Sequence, residues 1–264
     1  MKRRGFALFV AAFLVVATGA LGFAYGMVGP SPDSPDTAGP PISYPAGPPP
    51  ASHHVLLVGT SLTSRGDWPG LLQDRLSACA GRRVRVERLA LAGASSNWGR
   101  KALEARLADR TAPRPGLVVI EFSINDASLL RGVPLFQSRR NHLDMLQLVR
   151  ASGASAFLAT RNPAFGWKAA MRPGQSRYQA LYRTLARQQG AGLIDSIPEW
   201  RALAPATRHA LLPDGLHPTP AAMETIAVPA LEDALGPLLC LSPSPSPAPS
   251  PAPSSTMNSD KDRN

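Results

Sequence analysis

Four short segments of this chain carry residues able to do covalent or proton-transfer chemistry. Gly59-Thr60-Ser61-Leu62 sets a serine in a tight turn, with a glycine where a larger residue would resist the bend. In Ala92-Gly93-Ala94-Ser95-Ser96 the glycine lets a backbone N–H come close to a ligand. Ser123-Ile124-Asn125-Asp126 puts a carboxamide beside a carboxylate, and Asp214-Gly215-Leu216-His217-Pro218 spaces a carboxylate three residues before an imidazole. A serine hydroxyl is a poor nucleophile until a base takes its proton, and a neutral imidazole is suited to that task near neutral pH. Taken singly, each segment also has a plain reading: a turn serine, a helix cap, a loop or a fragment of a metal site.

The elements that must position these groups are legible between the two ends of the chain. Apolar β-type runs occur at 55–58, 84–91, 117–122, 156–159 and 193–194. Helix-like stretches lie between them at 68–79, 98–109, 136–151 and 178–189, and a last one runs from Pro220 to about Leu235, with Thr219 able to cap it. Strands alternating with helices imply a parallel sheet covered on both faces, and the short continuous runs 55–58 and 117–120 suit strands buried on both sides. In such sheets the chemistry sits beyond the carboxyl ends of the strands. The Ser61, Gly93 and Asn125 segments each follow a predicted strand directly.

Order and placement together make these segments resemble the blocks of the SGNH (GDSL-like) hydrolase family: a G-D-S-L-like start, a lone glycine, a G-x-N-D block, and D-x-x-H near the end. The resemblance covers about Val55 to Leu235. It implies a three-layer α/β/α, flavodoxin-like fold with a parallel sheet of about five strands, and a serine esterase. Carried over by position, it implies Ser61 as nucleophile, His217 as its base and Asp214 as the partner of the imidazole. The same resemblance assigns the oxyanion hole to the N–H groups of Ser61 and Gly93 and the side-chain amide of Asn125. Two positions depart from the pattern: Thr60 stands where the family has aspartate, and Ser123 where it has glycine. The second puts the shape of the pocket in question more than the chemistry.

On that fold the helices ending near Cys79 and Cys240 share one face, with their C-termini together and away from the chemistry, so a Cys79–Cys240 disulfide is expected. Trp68, Trp98 and Trp167 are candidates for a sugar- or acyl-binding surface, with ordinary packing as the competing reading. The segment 161–167 follows the fourth strand and is a candidate specificity loop. Asp126 reads as a structural hydrogen-bonding partner. His53 and His54 precede the first strand, His142 reads as a surface or packing residue, and His209 as structural though near the site in sequence. No His/Cys/Asp cluster has zinc-ligand spacing, and no glycine-rich turn matches a nucleotide-binding fingerprint, so no metal and no cofactor are expected.

The ends read differently from the middle. Lys2, Arg3 and Arg4 precede an uncharged apolar run from Phe6 to Val28. That run is long enough to span a membrane, and the positive flank should stay cytoplasmic. Residues 1–28 are therefore expected to be a signal anchor, or a signal peptide cut near Gly22-Phe23-Ala24, with the rest periplasmic or extracellular. Residues 29–52 read as a Pro/Gly-rich linker, 53–240 as the hydrolase domain and 241–264 as a disordered Pro/Ser-rich tail. The net charge is +10 and 24 of the 28 basic residues are arginine, but they are scattered without a nucleic-acid-binding motif, so nucleic acid is not an expected partner. The expected substrate is an acylated small molecule or glycan, with an O-acetyl ester on polysaccharide a sensible class for an exported enzyme. An O-acyltransferase using the same acyl-serine, and an inactive glycan-binding module on this fold, are the alternatives.

Overall fold

A computed structural model describes residues 50–240. The anchor or signal segment, nearly all of the linker and the Pro/Ser tail lie outside the described residues. Among those described, no helix is long and apolar enough to cross a membrane.

Five parallel strands form one sheet in the order β2-β1-β3-β4-β5. They are β1 (His54–Gly59), β2 (Arg85–Ala90), β3 (Leu117–Ile120), β4 (Ser155–Ala159) and β5 (Gly192–Ile194). Strand β1 pairs with β2 on one side and β3 on the other, with Val58 opposite both Leu89 and Ile120. This order, with its reversal at β1, is the flavodoxin-like one expected from the sequence.

The period-2 alternation of each strand feeds two cores. Val55 and Leu57, with Leu117, Val119, Phe157 and Ile194, face one side of the sheet. There they meet α2 (Trp68–Ala80) and the last helix, α11 (Val228–Leu239), through Leu72, Leu76, Leu231 and Leu235. Leu56, Val58, Val118, Ile120 and Leu158 face the other side. They pack on α3 (Ser96–Ala108), α5 (Leu135–Ala151) and α7 (Gln175–Gln189) through Leu103, Met145, Val149 and Leu185. Each strand of the sheet's middle is thus apolar on both faces, which is why it reads as a continuous hydrophobic run.

Short helices fill the carboxyl ends of the strands: α1 (Ser61–Ser64), α4 (Ser123–Asp126) and α6 (Gly166–Ala170). Two more, α8 (Ile197–Ala202) and α9 (Pro205–Leu211), lie between β5 and the last helical stretch. None of these five was predicted, because a helix of one or two turns carries too little periodicity to announce itself. The last stretch opens at α10 (Pro220–Ala222), where the Thr219 hydroxyl accepts from the Ala222 N–H at 3.3 Å. A π-helical turn over Met223–Ala227 follows, and the helix then runs on to Leu239, past the expected end at Leu235.

Cys79 and Cys240 form a disulfide, with Cα atoms 5.0 Å apart, at the end of the sheet away from the serine turn. His54 is a correction to the sequence reading: it opens β1 rather than preceding it. It is buried, with Nε2 3.0 Å from the Glu87 carboxylate.

Candidate active site

The serine turn, the glycine loop and the Asn-Asp segment all lie just past the carboxyl ends of their strands. Ser61 begins α1 immediately after β1 and Thr60. Its Oγ lies 2.9 Å from Nε2 of His217. On the other side of the imidazole, Nδ1 lies 2.6 Å from Oδ2 of Asp214. A carboxylate can only accept, so Nδ1 carries the proton and Nε2 is left to accept from the serine hydroxyl.

Asp214 holds more than the ring. Its Oδ1 accepts from the backbone N–H groups of Leu216 and His217, at 2.9 and 2.7 Å. Burial raises its pKa, but these amides and the imidazole outweigh that and bring it down to about 2. The carboxylate thus stays charged while it shapes the loop that delivers His217.

The predicted specificity segment turns out to brace that same loop. Asn162 donates from its amide to the carbonyl of Leu216 at 2.8 Å, and the N–H of Phe165 donates to the carbonyl of Gly215 at 2.8 Å. Residues after β4 therefore hold the His217 loop against the strand ends.

Gly93 has φ of 79°, a conformation that side-chain-bearing residues rarely adopt. Among the described residues, the N–H groups of Ser61 and Gly93 have no hydrogen-bond acceptor. Asn125 is oriented by donating one amide hydrogen to the Ala94 carbonyl at 2.9 Å, and it lines the same cleft as Ser61, Gly93 and His217. Three N–H donors are thus brought around one opening.

Asp126 ties these loops together from beneath. One oxygen accepts from the Ser96 N–H at 2.8 Å and the other from the Ser138 hydroxyl at 2.6 Å. It is fully buried, and burial lifts its pKa to about 6 despite those hydrogen bonds. This is the structural role expected of it.

The cleft has a volume of about 400 Å³. Trp167 lines it and is 74% exposed, but the expectation that Trp68 and Trp98 share this surface needs correction. Trp68 is buried in the core under the guanidinium of Arg161, which stands 4.7 Å from its ring centre, and it edges a neighbouring groove instead. Trp98 packs its ring on Phe122 at 6.4 Å between centroids. Both lie on helices whose rotation turns the ring toward the sheet, which spacing in the sequence does not reveal. Ser123 is also absent from the cleft lining: it is buried, and its hydroxyl has no partner among the described residues. His142 is buried and bonded to the Tyr182 hydroxyl, while His209 is exposed on α9 and away from the cleft.

Several residues here carried no sequence signal. Glu121, the residue after β3, is 2% exposed and sits behind the serine turn. A Cβ on Gly59 would press into Glu121 and Thr63, so close approach, rather than an unusual backbone angle, is why glycine stands there. Arg65, Arg131, Lys168 and Arg172 line the cleft. No local pattern separates them from the other basic residues of the chain. No cluster of three or more potential metal ligands occurs among the described residues.

A model of the GDSL-like lipase/acylhydrolase family matches residues 46–225. The crystal structure of TesA superposes with a TM-score of 0.57 at 28% identity, over 70% of this chain and 99% of that one. A lipase/acylhydrolase from Enterococcus faecalis gives 0.60 at 22% identity, over 73% and 99%. A variant of Axe2, an acetyl-xylooligosaccharide esterase from Geobacillus stearothermophilus, gives 0.55 at 20% identity, over 69% and 94%. No curated protein sequence matches significantly. The family match spans most of the fold and every strand-end segment that builds the cleft, so the chain belongs to the GDSL-like lipase/acylhydrolase family and is an ester-hydrolysing enzyme.

Proposed function

We propose that the protein is an exported serine esterase that works through an acyl-serine intermediate, with Ser61, His217 and Asp214 as its catalytic residues. The observation that carries this reading is the unbroken line of short contacts from Ser61 Oγ to His217 Nε2, 2.9 Å, and from His217 Nδ1 to Asp214, 2.6 Å.

In the first half-reaction His217 Nε2 takes the serine proton as Oγ attacks the ester carbonyl. The negative charge on the carbonyl oxygen is met by the N–H groups of Ser61 and Gly93 and the amide of Asn125. Asp214 keeps the ring in its tautomer and balances the imidazolium. The carbon–oxygen bond to the alcohol then breaks, and the alcohol leaves with the proton from His217. Water repeats the sequence on the acyl-serine, giving up a proton to His217, releasing the acid and restoring the serine.

An acetyl-xylooligosaccharide esterase shares the fold, and an exposed indole stands at the cleft, which makes O-acetyl esters on glycans the substrate class to test first. Export is supported by the positive flank at Lys2–Arg4, the uncharged apolar run that follows it, and the Cys79–Cys240 disulfide. Disulfides persist in oxidising compartments outside the cytoplasm. The catalytic part then faces the periplasm or the exterior, either held on the anchor or released after cleavage.

The test is hydrolysis of an activated short-chain acetyl ester by the full chain beside its Ser61→Ala variant. Turnover that disappears in the variant, with unchanged circular dichroism, is the expected result. Equal rates in both would remove Ser61 from the mechanism.

A further inference from the structure

Four cations, Arg65, Arg131, Lys168 and Arg172, line the cleft over Ser61, and no carboxylate is among its lining residues. They come from separate places in the fold: Arg65 follows α1, Arg131 lies in the turn before α5, Lys168 is on α6 and Arg172 is just after it.

Arg172 is already engaged. Its Nε donates to the Ile124 carbonyl at 2.8 Å, its Nη1 to the Lys168 carbonyl at 3.0 Å, and Asp214 faces it with opposite charge. The side chains of Arg65, Arg131 and Lys168 make no hydrogen bond or ion pair among the described residues. Some arginines elsewhere are neutralised: Arg75 meets Glu232 at 3.0 Å, Arg106 meets Glu87 at 2.7 Å and Arg183 meets Asp195 at 2.7 Å. At the cleft, three cations without such a partner meet at one opening. Arg131 stands over the glycine loop itself, since a Cβ on Gly93 would lie 3.4 Å from its Nη1.

Like charges around one opening repel each other until an anion enters, and their summed field concentrates anions there. Beside them Trp167, 74% exposed, offers a flat aromatic face of the kind that receives a sugar ring. We propose that the substrate is an acyl ester of an acidic sugar, its carboxylate or phosphate held by Arg65, Arg131 and Lys168 while the acylated oxygen lies at Ser61. This rests on the reading of Ser61 as the nucleophile, and it narrows the substrate from glycan esters in general to anionic ones.

The test compares kcat/KM of the full chain on acetylated methyl glucosides that differ only at the exocyclic carbon, as the alcohol, the carboxylate or the phosphate. Vesicles of phosphatidylglycerol serve as a lipid ester, and nitrophenyl acetate as a neutral activated ester. At low salt the charged sugars should exceed the neutral one by about 10-fold or more. The advantage should shrink toward unity at about 1 M salt, where the Debye length is about 3 Å. The Arg131→Ala/Lys168→Ala variant should lose most of that ratio, and Arg131→Lys should keep more of it. The carboxylate and phosphate arms identify which anion is taken.

Equal kcat/KM for neutral and charged sugars, with both rates abolished by Ser61→Ala, overturns this inference and leaves the serine esterase standing. Faster turnover of the vesicles than of any sugar overturns it in favour of a lipid substrate. Turnover of none of the esters, nitrophenyl acetate included, removes the esterase reading and this inference with it.

Discussion

Thr60 gives both its hydroxyl and its backbone N–H to the carboxylate of Glu121, at 2.9 and 3.2 Å. Thr63 adds its own hydroxyl at 2.9 Å, so the two threonines that bracket Ser61-Leu62 are fastened to the end of β3. Glu121 is buried, and burial raises its pKa. The buried Arg161 nearby favours the charged form. An aspartate in place of Thr60 would set a second carboxylate against Glu121 instead of a donor. Glu121→Ala removes the acceptor of the Thr60 N–H and of both threonine hydroxyls, leaves the buried Arg161 without the opposite charge nearby, and frees the serine turn. It should cost about 3–5 kcal/mol in urea unfolding, against about 1 kcal/mol for Thr60→Val. Equal, small losses for both would mean that the carboxylate does not anchor the turn.

Asn125 lines the cleft with its amide oriented by the Ala94 carbonyl. Asn125→Ala should lower kcat by about 10²–10³ while the fold is kept, the usual loss for one oxyanion donor. Wild-type-like turnover would place the oxyanion elsewhere.

Asp214→Asn replaces a carboxylate that accepts from both the imidazole and two backbone amides. An amide there can present a donor to Nδ1 and so favour the wrong tautomer. Loss of kcat by about 10²–10⁴ is expected. Because its amide and imidazole partners bring the wild-type carboxyl down to about 2, below the unfolded value of about 3.9, its stabilising contribution is complete above that unfolded value and is lost as pH falls from there through the folded pKa. An acid limb of kcat above about pH 4 must therefore belong to another group.

Asp126 has the opposite sign. Its folded pKa of about 6 exceeds the unfolded value of about 3.9, so the native state holds a proton that the unfolded chain has released. Stability should fall by about 3 kcal/mol as pH rises from about 4 to about 6.5, then level off. Asp126→Asn should flatten that part of the profile in urea titrations across this range. An unchanged slope would assign it to Glu121, whose shift runs in the same direction.

The disulfide closes a sequence separation of 161 residues at the end of the sheet remote from Ser61. A Cys79→Ser/Cys240→Ser double variant should lose about 2–5 kcal/mol of unfolding free energy. Its turnover per folded molecule should stay at the wild-type level. Thiol titration of the unfolded protein should find no free thiol before reduction and both cysteines after it.

The layered α/β plan and the places where chemistry belongs can be read from short stretches of sequence. These are local properties: a strand buried on both faces must be a short apolar run, as at Val55–Val58 and Leu117–Ile120, and a parallel sheet sends every such strand's carboxyl end to one edge. The Ser61, Gly93 and Asn125 segments each follow a strand end, and the family resemblance of those segments supplies their roles. The pairing of Cys79 with Cys240 followed once the helices could be assigned to a face.

Features that depend on the rotation of helices and on contacts between distant segments emerge with the packed fold. Trp68, Trp98 and Trp167 look alike in sequence, yet two rings turn into the core and one to the cleft, because side-chain direction is set by how each helix lies on the sheet. Arg106 and Arg131 are the same residue type, but one meets Glu87 and the other faces an opening without carboxylates. The grip of Glu121 on Thr60 and the meeting of Arg65, Arg131 and Lys168 around the Ser61 cleft arise only when separate segments are brought within a few ångströms, where charge and hydrogen bonding act.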